Sequence, residues 1–124
     1  MLLDSNIIIY AAKLENAGLR HFLNENLYSV SAVSRIEVLG YHLLVDQERQ
    51  FLEKFFEAAI VLTISESVVN QAIQLREVRR MSLGDAIIAA TALSHGFKLV
   101  TRNVRDFSWI QGLSLLNPFE ASGS

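Results

Sequence analysis

The sequence predicts an α/β fold in which a mostly parallel sheet is covered by helices on both faces. Short apolar, β-like runs alternate with longer segments of helical spacing, an order typical of such sheets. The single proline, Pro118, lies near the end and leaves the body of the chain uninterrupted. Hydrophobic residues make up 51% of the 124 residues, which is enough for a substantial core.

The first half of the chain predicts two strands and several helices. A buried opening run and a second short apolar run predict strands over 1–3 and 28–30. Apolar residues at helical spacing, such as Leu19, Phe22 and Leu23, predict the helices. The expected helical segments are 7–11, 14–26, 34–44 and 46–58.

The second half predicts three strands and two long helices. Residues 60–64 are short, apolar and β-branched, which indicates a buried strand. Ser65 begins a helix that reaches about Arg80, and Ser82 caps a second helix that Gly96 ends. The last two strands are expected over 98–101 and 113–116.

The length fits one domain, which we place at residues 1–120. The small polar residues 121–124 are expected to form a flexible tail, or to be a remnant of an expression vector.

Composition excludes several classes of protein. The net charge of -2 argues against a generally basic nucleic-acid binder, and the absence of cysteine excludes disulfides, zinc–thiolate sites and iron–sulfur clusters. The N-terminus has no basic region and meets Asp4 at once, so it does not resemble a signal peptide. The most apolar stretch, residues 86–93, is too short to cross a bilayer. We therefore expect a soluble protein, compatible with the cytosol.

Four carboxylates lie at the edges of hydrophobic segments: Asp4, Glu37, Asp85 and Asp106. Asp4 and the 103–106 loop follow strands, while Glu37 and Asp85 are expected in the first turns of helices. Ligands of parallel α/β sheets bind beyond the carboxyl ends of the strands. One rim of the sheet can therefore hold all four acids, although Asp106 alone could belong to an ordinary polar turn.

The other three acids also have purely structural interpretations. Ser34-x-x-Glu37 matches a capping box, which is the favoured interpretation of Glu37 taken alone, and Ser82-x-x-Asp85 resembles a second capped turn. Asp4 could cap the short helix that follows it. Only the joint pattern points to a site.

Electrostatics favours a cation among these acids. Two carboxylates about 5 Å apart repel by roughly 3 kcal/mol at an effective dielectric constant of 20. A divalent ion relieves this repulsion, and oxygen ligands without soft donors favour Mg²⁺ or Mn²⁺ over Zn²⁺. Arg35, Arg102 and Arg105 lie near these acids in sequence and could hold phosphates, or could be solvated surface residues.

Four segments of the chain resemble the motifs of the PIN-domain family, and most closely its VapC-like toxin ribonucleases. The matching segments are Leu2–Asn6, Ser34–Gly40, Gly84–Ala92 and Leu99–Phe107. Their order agrees with the family and the likeness runs nearly from end to end. The resemblance implies a three-layer α/β/α sandwich and Mg²⁺- or Mn²⁺-dependent hydrolysis of RNA phosphodiester bonds.

The resemblance also implies roles for individual residues. Asp4, Glu37 and Asp85 would be the core acids, with Glu37 orienting or deprotonating the attacking water. Many relatives have an acid where this chain has Asn103, and we expect Asp106 to supply the fourth carboxylate. The metal ligands would be Asp4, Asp85 and Asp106. The supporting polar residues would be Ser5, Asn6, Thr101 and Asn103, and the arginines 35, 102 and 105 would contact substrate.

Partners follow from the same resemblance. Relatives in the cytoplasm are inhibited by a cognate antitoxin protein, commonly form homodimers and act on RNA. The alternatives are a PIN-like nuclease outside a toxin–antitoxin system, or a non-catalytic module that binds RNA or protein. A phosphotransfer receiver domain is disfavoured, because no aspartate follows the strand at 60–64.

Overall fold

The computed structural model of the chain describes residues 1–121. Its strands form one sheet in which every neighbouring pair is parallel, with the order β3-β2-β1-β4-β5. The strands are β1 (Leu2–Leu3), β2 (Ser29–Ser31), β3 (Ile60–Leu62), β4 (Leu99–Val100) and β5 (Leu115–Leu116). The helices are α1 (Ser5–Ala11), α2 (Ala17–Asn24), α3 (Ala32–Leu39), α4 (Asp46–Ala58), α5 (Glu66–Val78), α6 (Leu83–His95), α7 (Val104–Phe107) and α8 (Pro118–Ala121).

The helices cover the sheet on both faces, which confirms the predicted α/β/α sandwich. Successive residues of a strand point to opposite faces, and β1 shows this directly. Leu3 packs into an apolar cluster with residues of α1, α2 and α4, whereas Leu2 packs into a second cluster with residues of α6 and α7. Within the described part of the chain, no helix combines the length and the apolar character that crossing a bilayer requires.

The central strand β1 defines the position of the site. It pairs with β2 on one side and with β4 on the other. After β1 the chain adds β2 and β3 on the first side, and then crosses to add β4 and β5 on the second side. Such a reversal of strand order opens a crevice at the carboxyl edge of a parallel sheet, where ligands bind. Asp4 follows β1 directly and Thr101 follows β4 directly, so both lie at this edge.

Several predicted boundaries are confirmed. The helix predicted at 46–58 is α4. Ser65 and Ser82 are N-caps whose hydroxyls accept hydrogen bonds from the backbone N–H groups of Val68 and Asp85. Gly96 ends α6 in the left-handed conformation with φ 67°, which glycine adopts without steric cost.

The prediction for the helix that carries Glu37 was wrong. α3 begins at Ala32, and Ser31 caps it by accepting a hydrogen bond from the backbone N–H of Val33. Ser34 therefore lies inside the helix, and Glu37 is in its second turn. Ser34 and Glu37 therefore do not form the expected capping box. Glu37 also lies beyond the first turn, where the helix dipole would stabilise its charge.

Two other expectations need correction. The strand at 60–64 was expected to be buried, yet β3 is an edge strand and Ile60 is 64% exposed. The segment at 103–106, expected to be a loop, contains the short helix α7. Of the tail predicted at 121–124, residues 122–124 lie outside the described residues.

Candidate active site

Asp4 is a buried carboxylate at the centre of the sheet edge. It is 3% exposed, and its Oδ2 accepts a hydrogen bond of 2.8 Å from the Thr101 hydroxyl. The same hydroxyl oxygen accepts from the backbone N–H of Asn103 at 3.0 Å. Burial raises the pKa of Asp4 to about 6, and the charges of Asp85 and Glu37 add to this rise while Thr101 opposes it. The ionised form of Asp4 is therefore destabilised by burial, although hydrogen bonds from the Thr101 hydroxyl and the Ser5 backbone oppose this effect.

Glu37 reaches the same edge from α3. Its side chain is exposed, but Oε1 accepts a hydrogen bond of 2.7 Å from the Ser5 hydroxyl at the start of α1. On its other side the carboxylate lies against Gly84, the second residue of α6. Glu37 thus connects α1, α3 and α6 at the mouth of the crevice.

Asp85 is the third residue of α6, and its backbone N–H donates to the hydroxyl of the N-cap Ser82 at 3.1 Å. The capped first turn expected here is confirmed. The side chain is half-buried, and burial raises the pKa of Asp85, with the charges of Asp106 and Glu37 adding to the rise. An acid near a helix N-terminus would ordinarily be stabilised by the helix dipole. At Asp85, burial and like charges outweigh the lowering of the pKa by the hydrogen bond with Ser82.

Asp106 supplies the fourth charge. It lies exposed in α7, and its negative charge acts on Asp85. Its backbone is fixed, because its N–H donates to the carbonyl oxygen of Asn103 at 3.1 Å and its carbonyl oxygen accepts from Trp109 Nε1 at 3.0 Å. Asn103 is an exposed N-cap whose side chain makes no capping hydrogen bond.

The four acids share one electrostatic environment, although they do not form a ready-made cage. Across residues 1–121, no three histidine or acidic side chains lie close enough together to hold an ion as they stand. The ion pairs in that part of the chain are Lys13–Glu48 and His21–Glu25, so no basic side chain there neutralises the four. A cluster of uncompensated, hard oxygen donors, in which burial raises the pKa of Asp4 and of Asp85, fits a hard divalent cation.

The predicted supporting residues divide into two groups. Ser5 and Thr101 are buried and each donates a hydrogen bond to a carboxylate of the site. Asn6 and Asn103 are exposed. Only the buried pair is fixed to the acids.

The three arginines also differ. Arg102 packs its guanidinium over the rings of Phe119 and Tyr10, with centroid distances of 4.7 and 5.4 Å. Arg105 is exposed on α7. Arg35 lies beside Glu53 and Glu57 of α4, on the side of α3 turned away from Glu37. The structure does not bring Arg35 to the carboxylates.

Sequence reasoning missed Ser34 and Gly84 as parts of this site. Ser34 was interpreted as a cap, yet it is fully buried and its hydroxyl oxygen lies 2.8 Å from that of Ser5. Gly84 received no role. Its position beside Asp85, where a helix former would be expected, was the one available signal.

Fold and site together define a class: an α/β protein with a cluster of uncompensated carboxylates at the switch point of a parallel sheet. Comparison with known families is more specific, since residues 1–112 match the PIN domain. The chain belongs to the PIN-domain family.

Relatives and solved structures agree with this assignment. A 40-residue stretch is 52% identical to Ribonuclease VapC1 of Rickettsia felis, and covers 31% of this chain and 30% of that relative, less than a third of its length. A toxin–antitoxin complex from Klebsiella pneumoniae is 27% identical, with a TM-score of 0.74 over 94% of this chain and 96% of the other. The DNA-bound VapBC from Salmonella typhimurium has a TM-score of 0.82 at 24% identity, over 94% and 96% of the two chains, and supports the fold.

Proposed function

We propose that the chain is a metal-dependent endoribonuclease that hydrolyses RNA phosphodiester bonds, with residues 1–120 acting as one nuclease domain. The observation that carries the proposal is the group of four uncompensated carboxylates at the switch point of a PIN-domain sheet. The relative named Ribonuclease VapC1 supports the choice of RNA as substrate.

Asp4, Asp85 and Asp106 would hold Mg²⁺ or Mn²⁺ through their carboxylate oxygens. When bound, such an ion polarises a phosphoryl oxygen and lowers the pKa of a water molecule. Asp106 is the most exposed and the least constrained of the three, so it can serve through an intervening water. Thr101 keeps Asp4 fixed by donating to Oδ2.

Glu37 is the proposed general base. Ser5 already donates to its Oε1, which leaves Oε2 to orient the attacking water and to accept its proton. As the water oxygen bonds to phosphorus, the bond from phosphorus to the 3′-oxygen breaks. The leaving oxygen takes a proton from solvent at the open rim.

Arg102 is a proposed phosphate contact, because it follows Thr101 directly at the carboxyl edge of the sheet. Stacking on Phe119 and Tyr10 restricts the guanidinium while its N–H edge stays available for a phosphate. Arg105 offers a second positive charge on α7. Arg35 could meet only a more distant part of an RNA strand.

A direct test is cleavage of a labelled RNA in Mn²⁺ by the wild type and by Asp85→Asn. We expect the variant to stay folded by circular dichroism and to lose at least about 10²-fold in rate. Glu66→Gln, an exposed acid at the start of α5, is the control and should keep the wild-type rate. Unchanged cleavage by Asp85→Asn would remove this residue from the mechanism.

The non-catalytic alternative makes a different prediction about metal. A protein that binds Mn²⁺ only when folded gains stability with rising metal concentration. We expect the wild type to show this increase in melting temperature, and Asp85→Asn to show less of it. A module without a metal site would show no increase in either protein.

We further propose that the enzyme is the toxin of a toxin–antitoxin pair in the cytoplasm, where its RNA substrate occurs. The similar complexes from Klebsiella pneumoniae and other bacteria support an antitoxin partner. Expression of the wild-type chain alone should then arrest bacterial growth, whereas expression of Asp85→Asn should not. Normal growth with active wild-type enzyme would favour a nuclease outside such a system.

A homodimer is proposed through the exposed apolar side chains of α5 and α6. Val69, Ile73 and Leu83 lie there in one groove, bordered by Arg76 and Glu77. Opposite charges beside an apolar patch suit a two-fold contact between identical surfaces. Ile73→Glu should convert a dimer into a monomer in analytical ultracentrifugation, and an unchanged mass would place the contact elsewhere.

A further inference from the structure

The Glu37 carboxylate is held on both sides, and two of the residues around it, Ser34 and Gly84, have no part in the chemistry described so far. On one side, the Ser5 hydroxyl oxygen lies 2.7 Å from Glu37 Oε1 and 2.8 Å from the Ser34 hydroxyl oxygen. On the other side, the backbone of Gly84 touches the carboxylate. An exposed glutamate would otherwise sample many rotamers.

The directions of these hydrogen bonds can be assigned by counting the donors and acceptors. A serine hydroxyl has one proton to donate, and an ionised carboxylate can only accept. Ser5 has the geometry to donate to either Ser34 Oγ or Glu37 Oε1. Because the carboxylate can only accept, we assign the Ser5 proton to Glu37 and the Ser34 proton to Ser5. Each bond in such a chain strengthens the next, so Ser34 makes Ser5 a better and more fixed donor.

Ser34 is well suited to hold Ser5, because its burial prevents it from contacting the substrate directly. It is fully buried inside α3, so it touches neither solvent nor substrate. A buried hydroxyl needs a hydrogen-bond partner, and Ser5 is the partner that the structure provides. The polar group is buried and its hydrogen bond is directed towards the proposed base.

Gly84 contributes by having no side chain. A Cβ built on Gly84 would overlap Glu37 Oε2, and would lie 3.0 Å from its Cδ and 3.2 Å from its Oε1. Gly84 is in a helix, where alanine is intrinsically preferred. The clash falls on the far end of a flexible, exposed side chain, so a substitution displaces the carboxylate and leaves the backbone in place.

We infer that Ser34 and Gly84 are positioning residues which, together with Ser5, hold the Glu37 carboxylate in the orientation that water activation requires. These three residues form the Glu37 clamp. The inference rests on the proposed ribonuclease function for its kinetic consequences. Its geometric consequence, the position of the Glu37 carboxylate, does not depend on any activity.

Gly84→Ala is the sharpest test of the clamp. We expect its melting temperature to equal or exceed that of the wild type, while kcat for RNA cleavage falls roughly 10–100-fold with little change in KM, because a shift of about 1 Å is costly for a catalytic group. Gly18→Ala in α2 is the matched control, since a Cβ there meets nothing within 4 Å, and it should keep the wild-type kcat. A Gly84→Ala enzyme with wild-type kcat would overturn the role of Gly84.

Ser34 is tested by two substitutions of nearly equal shape. Ser34→Thr and Ser34→Val crowd the buried position equally, but only threonine keeps the hydroxyl. We expect kcat to be about 3–10-fold higher in Ser34→Thr than in Ser34→Val, consistent with loss of one hydrogen bond. Equal kcat values would show that the hydroxyl has no positioning role.

A double-mutant cycle separates positioning from general structural support. If Ser34 acts through Ser5, then Ser34→Ala should lower kcat in the wild type and leave it unchanged in a Ser5→Ala background. Additive losses in the two backgrounds would contradict the proposed order of the chain.

Crystal structures of Gly84→Ala and Ser34→Ala give the readout that is independent of catalysis. The Glu37 carboxylate should leave the position it has in the wild type in both variants, and a carboxylate that stays in place would overturn the clamp. If the wild type proves unable to cleave RNA, the proposed function fails, and this comparison still decides whether the clamp exists.

Discussion

Leu3 and Asp4 are neighbours in sequence, and both are almost completely removed from solvent, yet burial affects them in opposite ways. Leu3 is 0% exposed within the apolar cluster between the sheet and α1, α2 and α4. Asp4 is 3% exposed, and burial raises its pKa to about 6. Burial of the leucine side chain stabilises the folded state, whereas burial of the ionised carboxylate destabilises it.

The difference shows that the carboxyl edge of the sheet, which carries the site, is less favourable for stability than its apolar faces. The apolar clusters on both faces stabilise the sheet, and the carboxyl edge of the same sheet gathers like charges without a neutralising basic side chain among residues 1–121. Active sites are commonly regions where function is maintained against stability. Substitutions at the two positions should therefore change stability in opposite directions.

The largest expected change in stability is at the apolar neighbour. Leu3→Ala should lower the free energy of unfolding by about 3 kcal/mol, because it removes buried methyl groups and leaves a cavity. Urea denaturation followed by circular dichroism measures this. A loss below about 1 kcal/mol would mean that the cluster around β1 collapses to fill the space.

Asp4→Asn should change stability in the other direction. At pH 7 with a chelator present, the neutral amide should raise the free energy of unfolding by about 2 kcal/mol, since the buried charge and its repulsion are removed. RNA cleavage should be lost at the same time. A variant less stable than the metal-free wild type would show that Asp4 gains more from Thr101 than it loses through burial.

The pH dependence of unfolding sharpens the same comparison. Because the pKa of Asp4 is about 6 in the folded protein and 3.8 for an ordinary aspartate, the folded state binds its proton more tightly. The contribution of protonated Asp4 to the free energy of unfolding is therefore fully present below pH 3.8, and it is lost as the pH rises through about 6.

Denaturation curves of the metal-free wild type and Asp4→Asn should accordingly converge near pH 4 and separate towards pH 7. Since Asp85 also has a raised pKa, part of the wild-type loss should persist in Asp4→Asn. Curves that stay parallel across this range would contradict the raised pKa of Asp4.

A smaller effect is expected from the Thr101 hydrogen bond, the larger of the two hydrogen bonds that lower the pKa of Asp4. Thr101→Val keeps the shape of the buried side chain and removes the donor to Asp4 Oδ2. The free energy of unfolding at pH 7 should fall by about 1 kcal/mol, and the difference should vanish in an Asp4→Asn background if it acts through the charge. An equal loss in both backgrounds would assign the effect to packing or to the Asn103 N–H.

The smallest predicted change concerns substrate binding away from the acids. Phe119→Leu keeps an apolar side chain but removes the ring under Arg102. We expect KM for RNA to rise by about 2–5-fold with kcat unchanged, in line with the modest energy of an exposed cation–π contact. Arg102→Ala should raise KM at least as much, and a larger effect of Phe119→Leu would show that the ring itself contacts RNA.

Local sequence patterns were sufficient for most of the secondary structure. The period of the apolar residues predicted α4, and the hydroxyl caps at Ser65 and Ser82 and the stop at Gly96 were readable from neighbouring residues. The start of α3 was missed because Ser31 and Ser34 are equally good caps by residue type. The choice between them depends on where β2 ends, and only pairing with β1 and β3 sets that.

The sequence by itself determined the order of strands and helices, the absence of soft metal ligands, and a set of acids at the ends of hydrophobic segments. These features depend on residue type and on spacing of a few positions, which a linear pattern contains. The tertiary structure decided that Ser34 supports Ser5, that Gly84 meets Glu37, and that Arg35 turns towards α4. Such contacts join positions that lie tens of residues apart, and their geometry depends on sheet register and helix packing, which local spacing does not specify.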